Sequence, residues 1–339
     1  MKVKRPSIRL LAKEAGVSVS TISRYLRREL DIRSETEEKI LNAARDLGYA
    51  LPPKTTLQLR RIIGVVVPNL SNLFYATLVD AMVQAAHLAG YRVVVESTHD
   101  SPQRQMDYIT SLQEYPVDGI LYCGHTAKND VLKHYVETGG HVVLIDEDVP
   151  DIAGVSRIFV NNYDGMSQQV RYLLQCGHRR IGYIGGPQGL MTADQRLWGY
   201  LDEMKAWDIV VGPSLIVSGE FSRETGHQGA NQLLSQSITA IVAADDMVAV
   251  GVLQYCHTHH IPVPETLSLV GFDDIAVAQL LMPPLTTVHQ PVEEIGRRAL
   301  ETMILQLEDP TFQPTTIMLP VSLVVRQSVS TYSNTTTHQ

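Results

Sequence analysis

Residues Ile8 to Leu26 read IRLLAKEAGVSVSTISRYL, and this stretch sets the organisation of the chain. Ile8, Leu11, Ala12 and Ala15 fall at helical spacing and predict a first helix with one apolar face. Gly16 then stands where the chain must turn, because glycine tolerates the left-handed backbone that a tight turn imposes. Val17 fills the space between two helices, and Ser18 offers a hydroxyl to the backbone N–H groups that open a second helix, VSTISRYL. Ile22 and Leu26 face inward, which leaves Val19, Ser20, Ser23 and Arg24 on its other faces. Such groups suit the major groove of DNA: valine meets a thymine methyl, serine pairs with several base edges, and arginine grips guanine in bidentate fashion. The pattern is that of a helix-turn-helix. The same residues also fit an ordinary helix pair with solvated polar faces, and the charge distribution separates the two readings.

From Met1 to Arg61 there are 14 Lys and Arg against 7 Asp and Glu, a net of +7, whereas the rest of the 339 residues carries 14 against 29, a net of −15. A basic segment attracts a phosphate backbone, while an acidic body keeps the remaining surface off it. The length accommodates a small domain of about 50 residues and a body of roughly 270. Cys123, Cys176 and Cys256 are far apart and lack any CxxC pairing, which argues against a disulfide framework or a cysteine-rich zinc site and for a reducing compartment. No apolar segment follows the basic N-terminus and no window approaches 18 uninterrupted apolar residues, so a cytoplasmic protein with no membrane association is expected.

Arg33 to Gly48 predicts a third helix, with Ser34 as cap, Glu37 three residues on as in a capping box, and Ile40, Leu41, Ala44 and Leu47 as its packing stripe. The run AGVSVSTISRYL, followed by RSETEEKILNAARDLGY, closely resembles the lactose/galactose repressor (LacI/GalR) family of bacterial transcription regulators. The resemblance extends over nearly the whole chain. It implies double-stranded operator DNA as a partner, contacted through Ser7, Ser18, Val19, Ser20, Thr21, Ser23 and Arg24, with Thr36 meeting a phosphate at the start of the third helix. The segment 51–61, LPPKTTLQLRR, departs from the family, whose members commonly carry Pro-Asn and then a short helix that wedges a leucine into the minor groove. Here Leu51-Pro52-Pro53 lacks the Asn and is one residue short. Leu57 or Leu59 is the wedge if a hinge helix forms; otherwise the segment is a proline-stiffened basic tether.

From Ile62 onward short apolar runs alternate with helical stretches. IIGVVV, YRVVVE, DGILYC and HVVLI read as strands, with helices over Tyr75 to Ala89, Gln103 to Glu114 and Asn129 to Thr138 between them. RIGYIG, TAIVAA and SLVGF repeat the pattern, with helices near Gly165 to Gln175, Arg196 to Ala206, Glu224 to Leu234 and Met247 to His257, and Val292 to Leu307 and IMLP finish the body. The predicted fold is an α/β body of two parallel-sheet lobes behind an N-terminal all-α helix-turn-helix domain. In the resemblance that body is like a periplasmic sugar-binding protein, crossing between lobes near Asn161, His289 and Pro320. The expected division is a headpiece 1–50, a linker 51–61, an effector-binding and dimerisation domain 62–330, and a loose tail 331–339. Within the body, 62–160 with 290–320 make the first lobe and 161–289 with 321–330 the second. The tail has no leucine heptads, so a homodimer is expected.

Ligands of open α/β sheets collect at the carboxyl ends of strands, and two lobes turn both sets of ends toward one cleft. PNLSNLFY after the first strand resembles the family's PDLSNPFF, which implies that Asn72, Phe74 and Tyr75 line the cleft. Asp146 follows HVVLI, and Phe159 precedes the first crossover. In the second lobe Arg196 of QRLWGY matches the family's ligand-binding arginine and Phe221 an aromatic position. Asp245 lies in AADDMVAVG, where the family often has Asn, Asp273 in VGFDD and Gln290 in TTVHQ. A guanidinium, carboxylates, an amide and aromatic rings suit a polyhydroxylated effector, and acceptor carboxylates against one arginine favour a neutral sugar or polyol over a phosphorylated one. Taken singly, the aspartates also serve as helix caps and the aromatics as core; their joint placement at strand ends favours the site.

Cys256-His257-Thr258-His259-His260 does not make a metal site, because neighbours on one helix end point apart and no second cluster has zinc spacing. GYIGGPQG fits neither a dinucleotide fingerprint nor a P-loop, and neither GxSxG nor HExxH occurs. No cofactor is expected. The sequence therefore predicts a DNA-binding regulator, most simply a repressor, controlled by a sugar-like effector. A transport-type sugar-binding protein and a sugar-processing enzyme are the alternatives; the basic headpiece opposes the first, and the missing acid/base set the second.

Overall fold

A computed structural model describes residues 7–26, 34–47, 49, 61–114, 117–124 and 128–332, in two compact units, 1–58 and 59–339. In the first unit α1 (Ile8–Glu14), α2 (Val19–Leu26) and α3 (Ser34–Asp46) enclose a core of Leu11, Ala12, Ala15, Ile22, Ile40, Ala43 and Ala44, with Val17 and Leu47 packed against it. Gly16 has φ +66°, the left-handed turn its position predicts. Ile8 is a correction: it stands at the first position of α1, beyond the reach of the small core, and is exposed. Ala43 takes the buried position expected of Leu41, and α3 begins at Ser34 itself.

The second unit holds two six-stranded sheets. The first runs β11-β5-β4-β3-β1-β2 and the second β12-β10-β9-β8-β6-β7. In the first are β1 (Ile62–Val67), β2 (Arg92–Ser97), β3 (Gly119–Tyr122), β4 (Val142–Ile145), β5 (Ser156–Val160) and β11 (Thr316–Leu319). In the second are β6 (Ile181–Gly185), β7 (Ile216–Ser218), β8 (Ala240–Ala243), β9 (Ser268–Asp273), β10 (Thr286–His289) and β12 (Ser322–Val324). All pairings are parallel except that of β12 with β10. Central strands such as β1, β3, β4 and β8 are buried along nearly their whole length, which is why they read as continuous apolar runs rather than alternating ones.

Helices α4 (Leu73–Leu88), α5 (Pro102–Glu114), α6 (Asp130–Glu137) and α11 (Val292–Glu308) cover the first sheet, and α7 (Asn162–Gln175), α8 (Met191–Ala206), α9 (Arg223–Leu234) and α10 (Asp246–Thr258) the second. The chain passes between sheets after β5, after β10 and between β11 and β12. Four strands carry weak signals in sequence: β7 and β12 are three-residue edge strands, β10 is threonine-rich, and only IFV of β5 is apolar. Tyr332, expected in a loose tail, is instead tied down. Its amide donates to the carbonyl of Cys176 at 2.7 Å and its ring stacks on His178.

Candidate functional site

In the headpiece the exposed side of α2 carries Val19 and Ser20, while Thr21, Ser23 and, on α3, Thr36 are half-buried. Ser18 does two things: its hydroxyl accepts from the amide of Thr21 at 3.0 Å, capping α2, and lies 2.7 Å from both the Ser20 and Thr21 hydroxyls. Ser7 caps α1 in the same way through Leu10. The Arg24 side chain and the whole of Leu57 and Leu59 lie outside the described residues. Replacing Ser18 by alanine is expected to cost about 0.5–2 kcal/mol of headpiece stability, seen as faster amide exchange across α2 than in the wild-type protein.

The cleft of the body arises from topology. In each sheet the chain reverses its direction of strand addition, between β1 and β3 in the first and between β6 and β8 in the second. Strand ends diverge at such switch points and leave a crevice. A cavity of about 480 Å³ opens there, lined from one lobe by Asn69, Ser71, Asn72 and Tyr75 and from the other by Glu220, Phe221, Arg223 and Met247.

Beneath it lies Arg196, one turn into α8 and only 4% exposed. Its Nε donates to Asn162 at 2.8 Å, one terminal nitrogen donates to the Ala244 carbonyl at 2.7 Å, and the Asp273 carboxylate lies 3.8 Å away. The Phe272 ring centroid is 3.9 Å from the guanidinium carbon and that of Phe221 5.6 Å. Cation–π contact and charge pairing together offset the desolvation of a buried cation. Gln290 donates to Asp273 at 2.7 Å, and its amide oxygen is buried with no partner among the described residues.

Asp245 caps α10 through the amide of Val248 and accepts from Asn72 of the opposite lobe at 3.3 Å. Asp146, in left-handed backbone at φ +67°, accepts from the Tyr75 hydroxyl at 3.0 Å. Burial pushes the Asp245 carboxyl up to about 6, although the amides and Arg196 pull the other way, and burial raises Asp273 well above the carboxylate range. Of the expected lining, Asn72, Tyr75 and Phe221 face the cavity, and Arg196, Asp245, Asp273 and Gln290 are joined beneath them. Phe74 and Phe159 are not in that lining: both are buried, as Tyr75 is too, and Phe74 packs in the first-lobe core.

Sequence reasoning missed Asn162 and Phe272, which hold Arg196, and Glu147, which crosses between lobes to accept from the Thr192 hydroxyl at 2.9 Å. The acidic pair after β4 was a legible signal for Glu147; nothing local marked the other two. Among the described residues no helix is long and apolar enough to cross a membrane.

A three-helix unit with a hydroxyl-bearing helix, joined to a two-lobed body with a polar cleft, defines a ligand-responsive DNA-binding protein. Comparison with known proteins agrees: residues 7–51 match the family described as bacterial regulatory proteins of the lacI family, and residues 170–329 match the periplasmic binding protein-like domain. The transcriptional regulator DegA of Bacillus subtilis is 30% identical over 94% of this chain and 97% of its own. The transcriptional repressor CytR of Escherichia coli is 30% identical over 94% of each chain. The structure of the regulator CelR in complex with cellobiose superposes with a TM-score of 0.74 at 28% identity, covering 96% of this chain and 100% of that one. The chain belongs to the LacI family of bacterial transcription regulators, and its relatives are regulators rather than enzymes.

Proposed function

We propose that this regulator is a cytoplasmic, homodimeric repressor that binds a pseudo-palindromic operator through headpieces 1–50 and is controlled by a neutral sugar or polyol held between its lobes. The observation that carries the effector class is the lining of the cavity: Asp100 and Glu220 stand against Arg223 among Asn69, Ser71, Asn72 and the Phe221 ring, while beneath them Arg196 already gives its Nε to Asn162 and a terminal nitrogen to Ala244. Hydroxyl groups donate to such acceptors, whereas a phosphate brings further negative charge into them. The cellobiose bound by CelR is itself a neutral sugar, which supports the same class. Residues 62–330 form the effector and dimerisation domain, and 51–61 transmit its state to the headpieces, with Leu57 or Leu59 as a minor-groove wedge where a hinge helix forms. An effector acts by binding one lobe arrangement more tightly than the other, and so shifts the headpieces and their DNA affinity.

The test is binding of the purified protein to a library of short duplexes at physiological salt, then repetition of the best binder against neutral and phosphorylated sugars. A palindromic winner far above random DNA, shifted by a neutral sugar, is expected; weak, salt-sensitive, sequence-blind binding overturns the reading. Arg24→Ala is expected to lose about 1–3 kcal/mol on the operator and to relax the preference at one base pair per half-site. Equal loss on operator and random DNA would instead make Arg24 a phosphate contact.

A further inference from the structure

Helix α8, which carries Arg196, starts without a cap of its own: its N-cap is Leu190, which has no side-chain acceptor. The first amides of a helix have no intrahelical partner, and an anion beside them is favoured by the helix dipole. Here the acceptor comes from the other lobe. The carboxylate of Glu147, just past β4, accepts from the amide of Met191 with one oxygen, and from the amide of Thr192 at 3.2 Å and its hydroxyl at 2.9 Å with the other. Glu147 is only 3% exposed, so this cap exists while the lobes are together and is lost when they part.

We propose that Glu147 is a proton-linked latch of the cleft: closure, with α8 capped from across the cleft, takes up a proton that opening releases. In the closed arrangement burial and the neighbouring Asp146 push the Glu147 carboxyl up to about 7, and the bonds from Thr192 and Met191 offset this only in part. Once the lobes separate, the same carboxylate returns to water and to its ordinary range near 4.5. Other charges around it are engaged elsewhere. Asp146 is held by Tyr75 from α4, Asp148 by Arg157 from β5 at 2.8 Å, and Asp194 in the first turn of α8 accepts from Gly189. The sign follows from the raised value: the closed state binds more protons, so closure is strongest toward acid and weakens as pH rises through 7. On the effector reading above, a ligand that needs the closed cleft binds with proton uptake over this window, so the regulator's response carries a pH dependence set by Glu147.

Amide hydrogen exchange on the full chain, without DNA or effector, tests the latch separately from that reading. After correction for intrinsic exchange, protection of the Met191 and Thr192 amides is expected to fall about tenfold from pH 6 to pH 8 in the wild-type protein. Glu147→Gln, neutral at both pH values, should keep the Thr192 amide bonded to its one acceptor oxygen and show no pH dependence there, and Glu147→Ala should leave both amides unprotected at both. A flat wild-type profile, or a Glu147→Gln profile falling in parallel with it, overturns the proposal. So does a fall shared by the amides of Gly199 to Met204, since that is unfolding of α8 rather than release of its first turn.

Discussion

Replacing Arg196 by alanine is expected to abolish the effector response, raising the sugar concentration needed to shift the operator complex by at least about 100-fold, and to lower the stability of the body by about 3–5 kcal/mol. Both effects come from one geometry. The guanidinium holds Asn162, the Ala244 carbonyl and the Asp273 carboxylate, and it packs against Phe272. Ala244 precedes the Asp245 that bonds across the cleft to Asn72, and Asp273 is the partner of Gln290 at a crossing between lobes. Removal of the cation leaves Asp273 buried without its counter-charge and leaves a void beside Phe272. Arg196→Lys keeps the charge but not the planar fork or the stacking, and is expected to fall between alanine and wild type. Titration of the operator complex with the sugar found in the screen, alongside thermal unfolding, reads both effects; an unchanged sugar response removes Arg196 from the effector site.

Asp246→Ala is expected to destabilise the body by about 3–5 kcal/mol, because two buried donors lose their acceptor and each unsatisfied group costs about 1–3 kcal/mol. One oxygen accepts from the amide of Ile275 at 2.9 Å and the other from the Thr287 hydroxyl at 2.6 Å, so this side chain ties the start of α10 to the loop after β9 and to β10. Burial holds its carboxyl up to about 8 and that of Asp245 up to about 6. These folded values lie above the unfolded one, so the stabilising contribution is complete below about pH 4 and is lost as pH rises through 6 to 8. Glu294, half-exposed at the surface and held below its ordinary value by Arg297 and Arg298, works in the opposite direction, but water screens it. Melting temperature should therefore decline from pH 5 to pH 8.5. In Asp246→Asn, whose amide still accepts from Ile275 and donates to Thr287, the decline should flatten; an equal slope in wild type and Asp246→Asn would show that another group sets it.

Much of the architecture was legible because its signals are local. The buried strands read as apolar runs, Gly16 marked the turn of the headpiece, and Ser18 marked a helix start that the structure caps with its hydroxyl. The edge strands β7 and β12 were not legible, since three residues that are half-buried at most carry neither a run nor an alternation. In the cleft, Arg196 was named from the family resemblance, and Asp245, Asp273 and Gln290 from their places after strands and at a crossing; the structure links the four by hydrogen bonds and charge, with α8 beginning at Met191, five residues before Arg196. Phe74 and Tyr75 show the limit of that approach. They are neighbours at the start of one helix and both pack in the core, yet only Tyr75 also reaches the cavity, because consecutive helical positions point about 100° apart.

The sequence by itself determined the family, the three-helix headpiece, the alternating body and the chemical types in the cleft, because periodicity, caps and charge are properties of nearby residues. Only the tertiary structure decided which groups meet across the chain: Asn162 and Phe272 on Arg196, Asn72 on Asp245, and Glu147 on the first turn of α8. Those contacts join positions from 34 to 173 residues apart. They arise where two sheets reverse direction and turn their strand ends toward each other. Their energetics depend on burial at that place, which raises the carboxyls and makes each hydrogen bond costly to lose, and no stretch of neighbouring residues encodes it.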